Sequence, residues 1–79
     1  MNTQATEGRI VTFTPSERTR TEKFKNKEKQ TYPAIITEVN DASVDLTVFG
    51  VAETIYINNI KHVDDAEAGR SNWDWTVKV

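Results

Sequence analysis

Few side chains in this sequence have the types and spacing that chemistry requires. A single histidine, His62, stands near Asp64 and Asp65, and this is the one grouping that looks like an acid–base or metal site. A zinc site needs three or four converging ligands, but the chain has no cysteine and no second histidine. We therefore expect no metal and no cofactor, and we interpret residues 62–70, His62 included, as a solvated acidic loop.

Nucleophilic catalysis and phosphate binding have no better support in the sequence. Each of the serines Ser16, Ser43 and Ser71 lies beside turn-forming residues, and a lone histidine argues against a catalytic triad. The three glycines stand too far apart to form a phosphate-binding loop. We expect a protein that is not an enzyme.

Length and composition predict one small domain. With 79 residues and no cysteine, the chain can bury only a modest core and gains nothing from disulfides, so partner contacts or oligomerisation remain as further sources of stability. No apolar run is long enough to span a membrane, and the first residues lack the pattern of a signal peptide. The expectation is an intracellular product or a component of a larger particle.

Charge is unevenly distributed along the chain. Residues 18–29 hold six basic and two acidic side chains, a local balance of +4, so the rest of the chain carries −6 and the total is −2. Such a basic segment can steer association with a partner whose surface is negatively charged. It is too short and too diluted by acid to indicate a nucleic-acid tail, so nucleic acid is not an expected partner.

The elements are organised around residues 32–51, which predict a β-hairpin. Two stretches of alternating β-branched residues flank the turn formers at 40–43. If those four residues form the loop, the register pairs Val39 with Val44, Thr37 with Leu46 and Ile35 with Val48, which would place these six side chains in the core.

Three further strands and two loops complete the prediction. Residues 8–14 form a first strand with Val11 and Phe13 inward. Residues 54–60 form another, in which Ile55 and Ile57 alternate with Tyr56 and Asn58, and residues 73–79 alternate strictly. Residues 18–30 have only Phe24 as an apolar anchor and predict a long charged loop with almost no helix. The result is an all-β, small five-stranded antiparallel SH3-like barrel over residues 8–79, preceded by an arm at 1–7 that is flexible or ordered by a partner. The rival, an OB-type barrel, would need longer strands and usually a helix.

Exposed apolar and basic side chains are the candidate partner-binding residues. The predicted register leaves Ile36 and Phe49 on the face opposite the core, where they would form a docking patch. Trp73 and Trp75 share one face of the last strand, which is typical of core packing but would also suit a binding surface. The basic residues Lys23, Lys25 and Lys27 would tune the contact.

Three segments resemble a group of short tailed-phage proteins. They are Ala34-Ile35-Ile36-Thr37 with Val39, then 44–49 (VDLTVF), then 73–75 (WDW). Proteins of that group carry similar A-I-V-T-x-V, V-N-L-T-V-F and W-H-W segments around a small β-barrel, with asparagine at the position of Asp45 and histidine at that of Asp74. The resemblance covers roughly residues 8–79 without the basic loop, and it implies phage origin and an SH3-like barrel but no reaction.

Barrels of this kind recur in phage particles as decoration, head-completion and tail-associated modules, so the expected role is structural. The leading hypothesis is a virion-associated capsid decoration protein that docks on a capsid or other virion protein, with self-association as a further option. The second is a soluble phage accessory protein that inhibits a host defence protein. The third and weakest is nucleic-acid binding through the basic loop.

Overall fold

The structure is a computed structural model of the chain, and it describes residues 5–25 and 28–76. This part of the chain forms β1 (Ile10–Thr14), α1 (Glu17–Lys23), β2 (Tyr32–Val39), β3 (Val44–Phe49), β4 (Thr54–His62) and β5 (Asn72–Trp75). The strands close a barrel in the order β1-β2-β3-β4-β5. The prediction of an all-β, five-stranded barrel is therefore confirmed.

Neighbouring strands are antiparallel except where β4 meets β5. There Lys61 pairs with Asn72 and His62 with Trp73 in a parallel register. The expectation of a fully antiparallel barrel is wrong at this seam. Residues 63–71 fold back so that β5 begins beside the last residues of β4 and runs in the same direction, and such a crossover makes the two strands parallel.

One cluster of buried side chains fills the barrel. Val11 and Phe13 of β1 point inward as predicted, because alternate residues of a strand face opposite sides. The same alternation in β3 buries Val44, Leu46 and Val48. The whole core comprises Val11, Phe13, Phe24, Tyr32, Ala34, Ile36, Val44, Leu46, Val48, Ile60 and Trp73.

The predicted hairpin register holds only beside the turn. Val39 pairs with Val44 as expected, but Leu46 pairs with Ile36 and Val48 with Ala34. A register shift between Ile36 and Glu38 adds one residue to β2, and one extra residue exchanges the two faces of the strand. The predicted inward set of β2 is therefore wrong. Thr37 and Val39 are exposed and Ile35 is half-buried, whereas Tyr32, Ala34 and Ile36 enter the core.

Part of the predicted charged loop is helical, which corrects that expectation. The seven-residue helix α1 buries none of its side chains. The helix therefore forms even though it lacks an apolar stripe, as the sequence indicated. Its N-cap is Ser16, whose Oγ accepts a hydrogen bond from the backbone N–H of Thr19 at 3.2 Å. The N-cap hydrogen bond thus stabilises a helix that has no apolar stripe to pack against the barrel.

A polar network joins the β2–β3 hairpin to β4. Asn59 has a φ of 59°, a left-handed geometry that asparagine tolerates, and it lies in β4 at a register shift against β3. Asp45 Oδ1 accepts hydrogen bonds from the Asn59 backbone N–H at 3.0 Å and from Asn40 Nδ2 at 3.1 Å. The Asp45 side chain therefore holds the bulged strand and the hairpin loop together.

The remaining strands differ from prediction at their ends. The first begins at Ile10 rather than residue 8, the fourth runs on to His62, and the fifth covers Asn72–Trp75, with residues 77–79 outside the described part of the chain. The predicted arm at 1–7 is described only from residue 5. Ala5 packs against the core, and the backbone N–H of Gly8 donates to the Ile36 carbonyl at 2.7 Å. The boundary between arm and barrel stays a prediction.

We predict that Leu46→Asp unfolds the protein. The Leu46 side chain is buried in the centre of the core, and the cost of burying an unpaired carboxylate is comparable with the whole stability of a small domain, on the order of 5 kcal/mol. The matched control is Thr47→Asp, because Thr47 is the next residue and faces outward. Urea titration followed by circular dichroism should show a cooperative transition for the control and none for Leu46→Asp, and a cooperative Leu46→Asp protein would contradict the observed register.

Asp45→Ala should destabilise the barrel by about 1–2 kcal/mol, since it leaves the Asn59 N–H without its acceptor. Asp45→Asn keeps a side-chain oxygen at the same place and should cost much less. Chemical denaturation of both variants measures the difference. Equal destabilisation would mean that the charge of Asp45, rather than its acceptor oxygen, matters.

Candidate functional site

The predicted docking pair of Ile36 and Phe49 does not exist. Ile36 is 1% exposed and belongs to the core, because the bulge in β2 turns it inward. Phe49 is 39% exposed at the end of β3, so its predicted exposure is confirmed. A role for Ile36 in partner binding has no support, whereas the role of Phe49 stays a prediction.

A different apolar surface crosses the outside of the barrel. The strand registers pair Ile10 with Ile35, Ile35 with Thr47, and Thr47 with Tyr56, so one residue from each of β1, β2, β3 and β4 lies in a continuous line. We call these four residues the outer row. Paired side chains on one face of a sheet have Cβ atoms about 5 Å apart, so the outer row is contiguous.

The ends of the outer row are the most exposed large apolar residues in it. Tyr56 is 77% exposed and Ile10 60%, while Ile35 and Thr47 between them are half-buried. Phe49 follows Thr47 by two residues in β3 and therefore lies on the same face. The row and Phe49 carry no charged side chain, and a contiguous exposed apolar surface of this kind is typical of a protein-docking site.

The sequence indicates which residues of the outer row face outward, but it does not show that they lie side by side. Ile10 precedes the inward Val11, and Tyr56 lies between Ile55 and Ile57, so alternation alone places both outward. What sequence reasoning missed is the strand order and the β2 bulge, which bring residues from four strands into line.

The predicted basic residues lie at the end of the barrel where β1 ends and β2 begins. Lys23 and Lys25 are exposed, and Lys27 lies outside the described residues. Arg18 is paired with Glu22 across one helical turn at 3.2 Å, a surface pair of small energetic value. Both Phe24 and Tyr32, the rings beside this segment, are buried and stacked with their centroids 4.1 Å apart. These two rings are therefore not accessible for stacking on nucleic-acid bases.

Glu53 ties the basic segment to the turn between β3 and β4. Its carboxylate accepts hydrogen bonds from the backbone N–H groups of Ala52 and Lys25, each at 2.8 Å. The hydrogen bond from Ala52 and then that from Lys25 lower the pKa of Glu53 below its usual value. Burial raises the pKa of the nearby Tyr32 phenol, and the negative charge of Glu53 adds to that rise.

His62 lies in a cluster with both tryptophans, which corrects its assignment to a solvated loop. The residue is 7% exposed, and its imidazole meets the Trp73 ring edge-on at 4.7 Å between centroids. Trp73 in turn meets Trp75 edge-on at 4.9 Å. We call these three residues the aromatic cluster. Trp73 is 4% exposed and Trp75 is half-buried against the core, so packing is the main role of both rings.

Hydrogen bonding sets the tautomer of His62. The Asp64 backbone N–H donates to Nδ1 at 3.1 Å, so Nδ1 is unprotonated in the neutral ring and Nε2 carries the proton. Asp74 Oδ1 lies 3.2 Å from Nε2, but the geometry is not that of a hydrogen bond, which leaves Nε2 unpaired. Because Nδ1 is already occupied, this histidine is poorly placed to act as a general base.

The aromatic cluster contains an unusual concentration of unsatisfied donors. Besides His62 Nε2, the indole nitrogens of Trp73 and Trp75 are buried without a hydrogen-bond partner among the described residues. Buried polar groups in folded proteins are nearly always paired, so three such groups in contact call for an explanation. Sequence reasoning missed this cluster because the fourth strand was predicted to end at Ile60, two residues before His62.

A cavity of about 410 Å³ opens beside the aromatic cluster. His62, Trp73 and Val44 are its buried residues, and Asp41 and Asp65 are exposed carboxylate residues that also line it. In the described part of the chain, no three acidic, histidine or cysteine side chains are grouped to hold a metal ion. The lining of the cavity thus combines exposed carboxylates with the buried His62 and Trp73.

We predict that Glu53→Gln removes one acid-sensitive component of stability. The pKa of Glu53 is lower in the folded than in the unfolded state, so its carboxylate stabilises the fold above the ordinary glutamate pKa. That contribution disappears as the pH falls through the lowered pKa. Thermal unfolding between pH 7 and pH 3 should show a smaller acid-induced decrease for Glu53→Gln than for the unmodified protein. The exposed Glu67→Gln serves as control, and equal slopes for all three proteins would contradict the assigned role.

No helix in the described part of the chain is long and apolar enough to cross a membrane. Comparisons with protein families, curated proteins and solved structures find no significant match to this chain, so its function has to be inferred from its own residues and geometry.

Proposed function

We propose that this protein is a non-enzymatic binding module of a tailed-phage virion, most specifically a capsid decoration protein. The observation that carries the proposal is the outer row with Phe49, an uncharged apolar surface exposed on a small folded domain. The resemblance of residues 34–39, 44–49 and 73–75 to short tailed-phage proteins supports the phage origin. In this proposal the protein acts in the virion, after assembly in the host cytoplasm.

We also propose that the barrel is of the SH3-like type. Its support is the order of the elements: a first strand, a long charged connection, a hairpin, a tight turn, and a last strand that pairs with the first. The charged connection runs from residue 15 to residue 31 and includes α1. Barrels of this type serve many functions, so the fold alone assigns none.

Docking would bury the outer row against a neighbouring subunit. The row needs no rearrangement, because Ile35 and Thr47 are held between flanking strands and Tyr56 has only two side-chain torsions to restrict. A large aromatic side chain at an exposed end is the type of residue that dominates interface energies. Binding to the folded state alone would also stabilise this small domain by mass action. Lys23 and Lys25 would act at a distance, by steering the approach.

The first test is copy counting by mass spectrometry on purified particles of the phage that encodes the chain. Many copies per particle would support the decoration role. Absence from the particle would overturn it and favour the alternative, a soluble phage accessory protein that uses the same surface to inhibit a host defence protein. Nucleic-acid binding through the basic segment has weaker support, because Phe24 and Tyr32 are buried.

Tyr56→Ala should weaken docking by about thirtyfold, the effect of losing an interface residue that contributes about 2 kcal/mol. Phe49→Ala should have a smaller effect in the same direction. Neither side chain belongs to the core, so the fold should be retained. Binding of the purified variants to particles that lack the protein measures the effect.

Val63→Ala is the matched control, since Val63 is an exposed apolar residue that follows β4 and lies outside the outer row. Its binding should equal that of the unmodified chain. A folded Tyr56→Ala protein that docks as well as this control would contradict the role of the outer row.

A further inference from the structure

Most of β4 has a neighbouring strand on one side only. β5 pairs with β4 at Lys61 and His62, so in the described part of the chain residues 54–60 are flanked by β3 alone. The loop after β4 shares the lining of a small cavity with Asn59 and Lys61, which places that loop beside the last part of the strand. We call residues 54–58 the open edge, and all five are exposed or half-buried.

Hydrogen-bond alternation shows which backbone groups face the open edge. The Gly50 N–H donates to the Glu53 carbonyl at 2.7 Å, so every second residue after Glu53 bonds to β3. The backbone N–H groups of the residues between, Thr54, Tyr56 and Asn58, therefore point away from β3. The described residues contain no hydrogen-bond partner for them.

The sequence of β4 does not protect this edge. Soluble proteins usually protect an exposed strand edge with a charge, a proline or a bulge. Residues 54–60 (TIYINNI) contain no charged residue, proline or glycine, and the bulge at Asn59 comes after the open edge. Ile55 and Ile57 pack against the core but remain half-buried, because no strand covers them on this side. An uncharged strand of this kind pairs readily with another strand.

A second copy of β4 fits the open edge by symmetry. Antiparallel pairing about a two-fold axis at Tyr56 places Tyr56 opposite its own copy. The same axis places Thr54 opposite Asn58, so each residue with a free backbone N–H lies opposite another such residue. The two tyrosine rings then form a cross-strand aromatic pair, which is a favourable contact in antiparallel sheets.

The remaining side chains of β4 favour the same occupant. On the inner face, Ile55 lies opposite Ile57 of the second copy, so each chain covers apolar surface that the other leaves half-buried. Glu53 precedes the uncharged segment and Lys61 follows it, so antiparallel pairing brings the acidic end of one strand alongside the basic end of the other. Any extended strand could pair with the backbone, but β4 itself supplies both of these side-chain matches.

We propose that two copies of the chain associate through their open edges and form an isologous dimer with one sheet continuous across both barrels. The pairing also sets the two outer rows end to end, because Tyr56 is the last residue of each row. Self-association requires no other protein. The proposal therefore goes beyond the docking function and does not depend on it.

The test is sedimentation equilibrium of the purified full chain at rising protein concentration. The average mass should increase from 9.0 kDa towards twice that value. Tyr56→Lys and Tyr56→Glu should each weaken association at least about tenfold, because like charges then lie directly opposite each other. An equimolar mixture of the two variants should associate again, since opposite charges then meet across the axis. A mixture that stays monomeric would overturn the proposed pairing.

The matched control is Ile10→Lys, which places the same charge at the other exposed end of the outer row. It should associate like the unmodified chain, whereas weakening equal to that of Tyr56→Lys would make the outer row itself the self-contact and overturn the proposal. Hydrogen exchange gives a second readout, in which the Tyr56 N–H should become protected as the protein concentration rises. An unmodified chain that stays monomeric up to about 1 mM would leave the open edge to a strand of another protein and also overturn the dimer.

Discussion

The β-bulge between Ile36 and Glu38 is the constraint on which the other features of this barrel depend. One additional residue in β2 reverses the direction of every side chain on its N-terminal side relative to the turn. Ile36 consequently fills the core, and Ile35 is placed outside, between Ile10 and Thr47. Without the bulge the outer row would be interrupted at its second strand, and the core would lose its most deeply buried β2 residues.

A second irregularity lies in β4 and is held by a side chain. Asn59 takes a left-handed conformation, and Asp45 binds its N–H while also holding Asn40 of the hairpin loop. The same loop lines the cavity beside the aromatic cluster. The polar network therefore shapes one wall of this cavity, while the β2 bulge shapes the outer row. Both surfaces are products of departures from regular strand geometry.

Barrel closure explains the unsatisfied donors of the aromatic cluster. The parallel pairing of His62 with Trp73 brings the end of β4 against β5, and the packing of large rings there leaves three nitrogens without partners among the described residues. A small domain without disulfides has limited stability to offset such a cost.

The amino-acid sequence by itself determined the strand content, the position of the central turn and the inward faces of β1 and β3, because period-two alternation and turn chemistry are local. It also determined that positive charge is concentrated at residues 18–29, that Phe49 is exposed, and that Phe24 is the apolar anchor of the charged segment. Only the tertiary structure decided the register of β2, the helix α1, the parallel seam and the burial of His62. Bulges and barrel closure are settled by packing between strands distant in sequence, and no local pattern records which residue a strand will add to fit its neighbours.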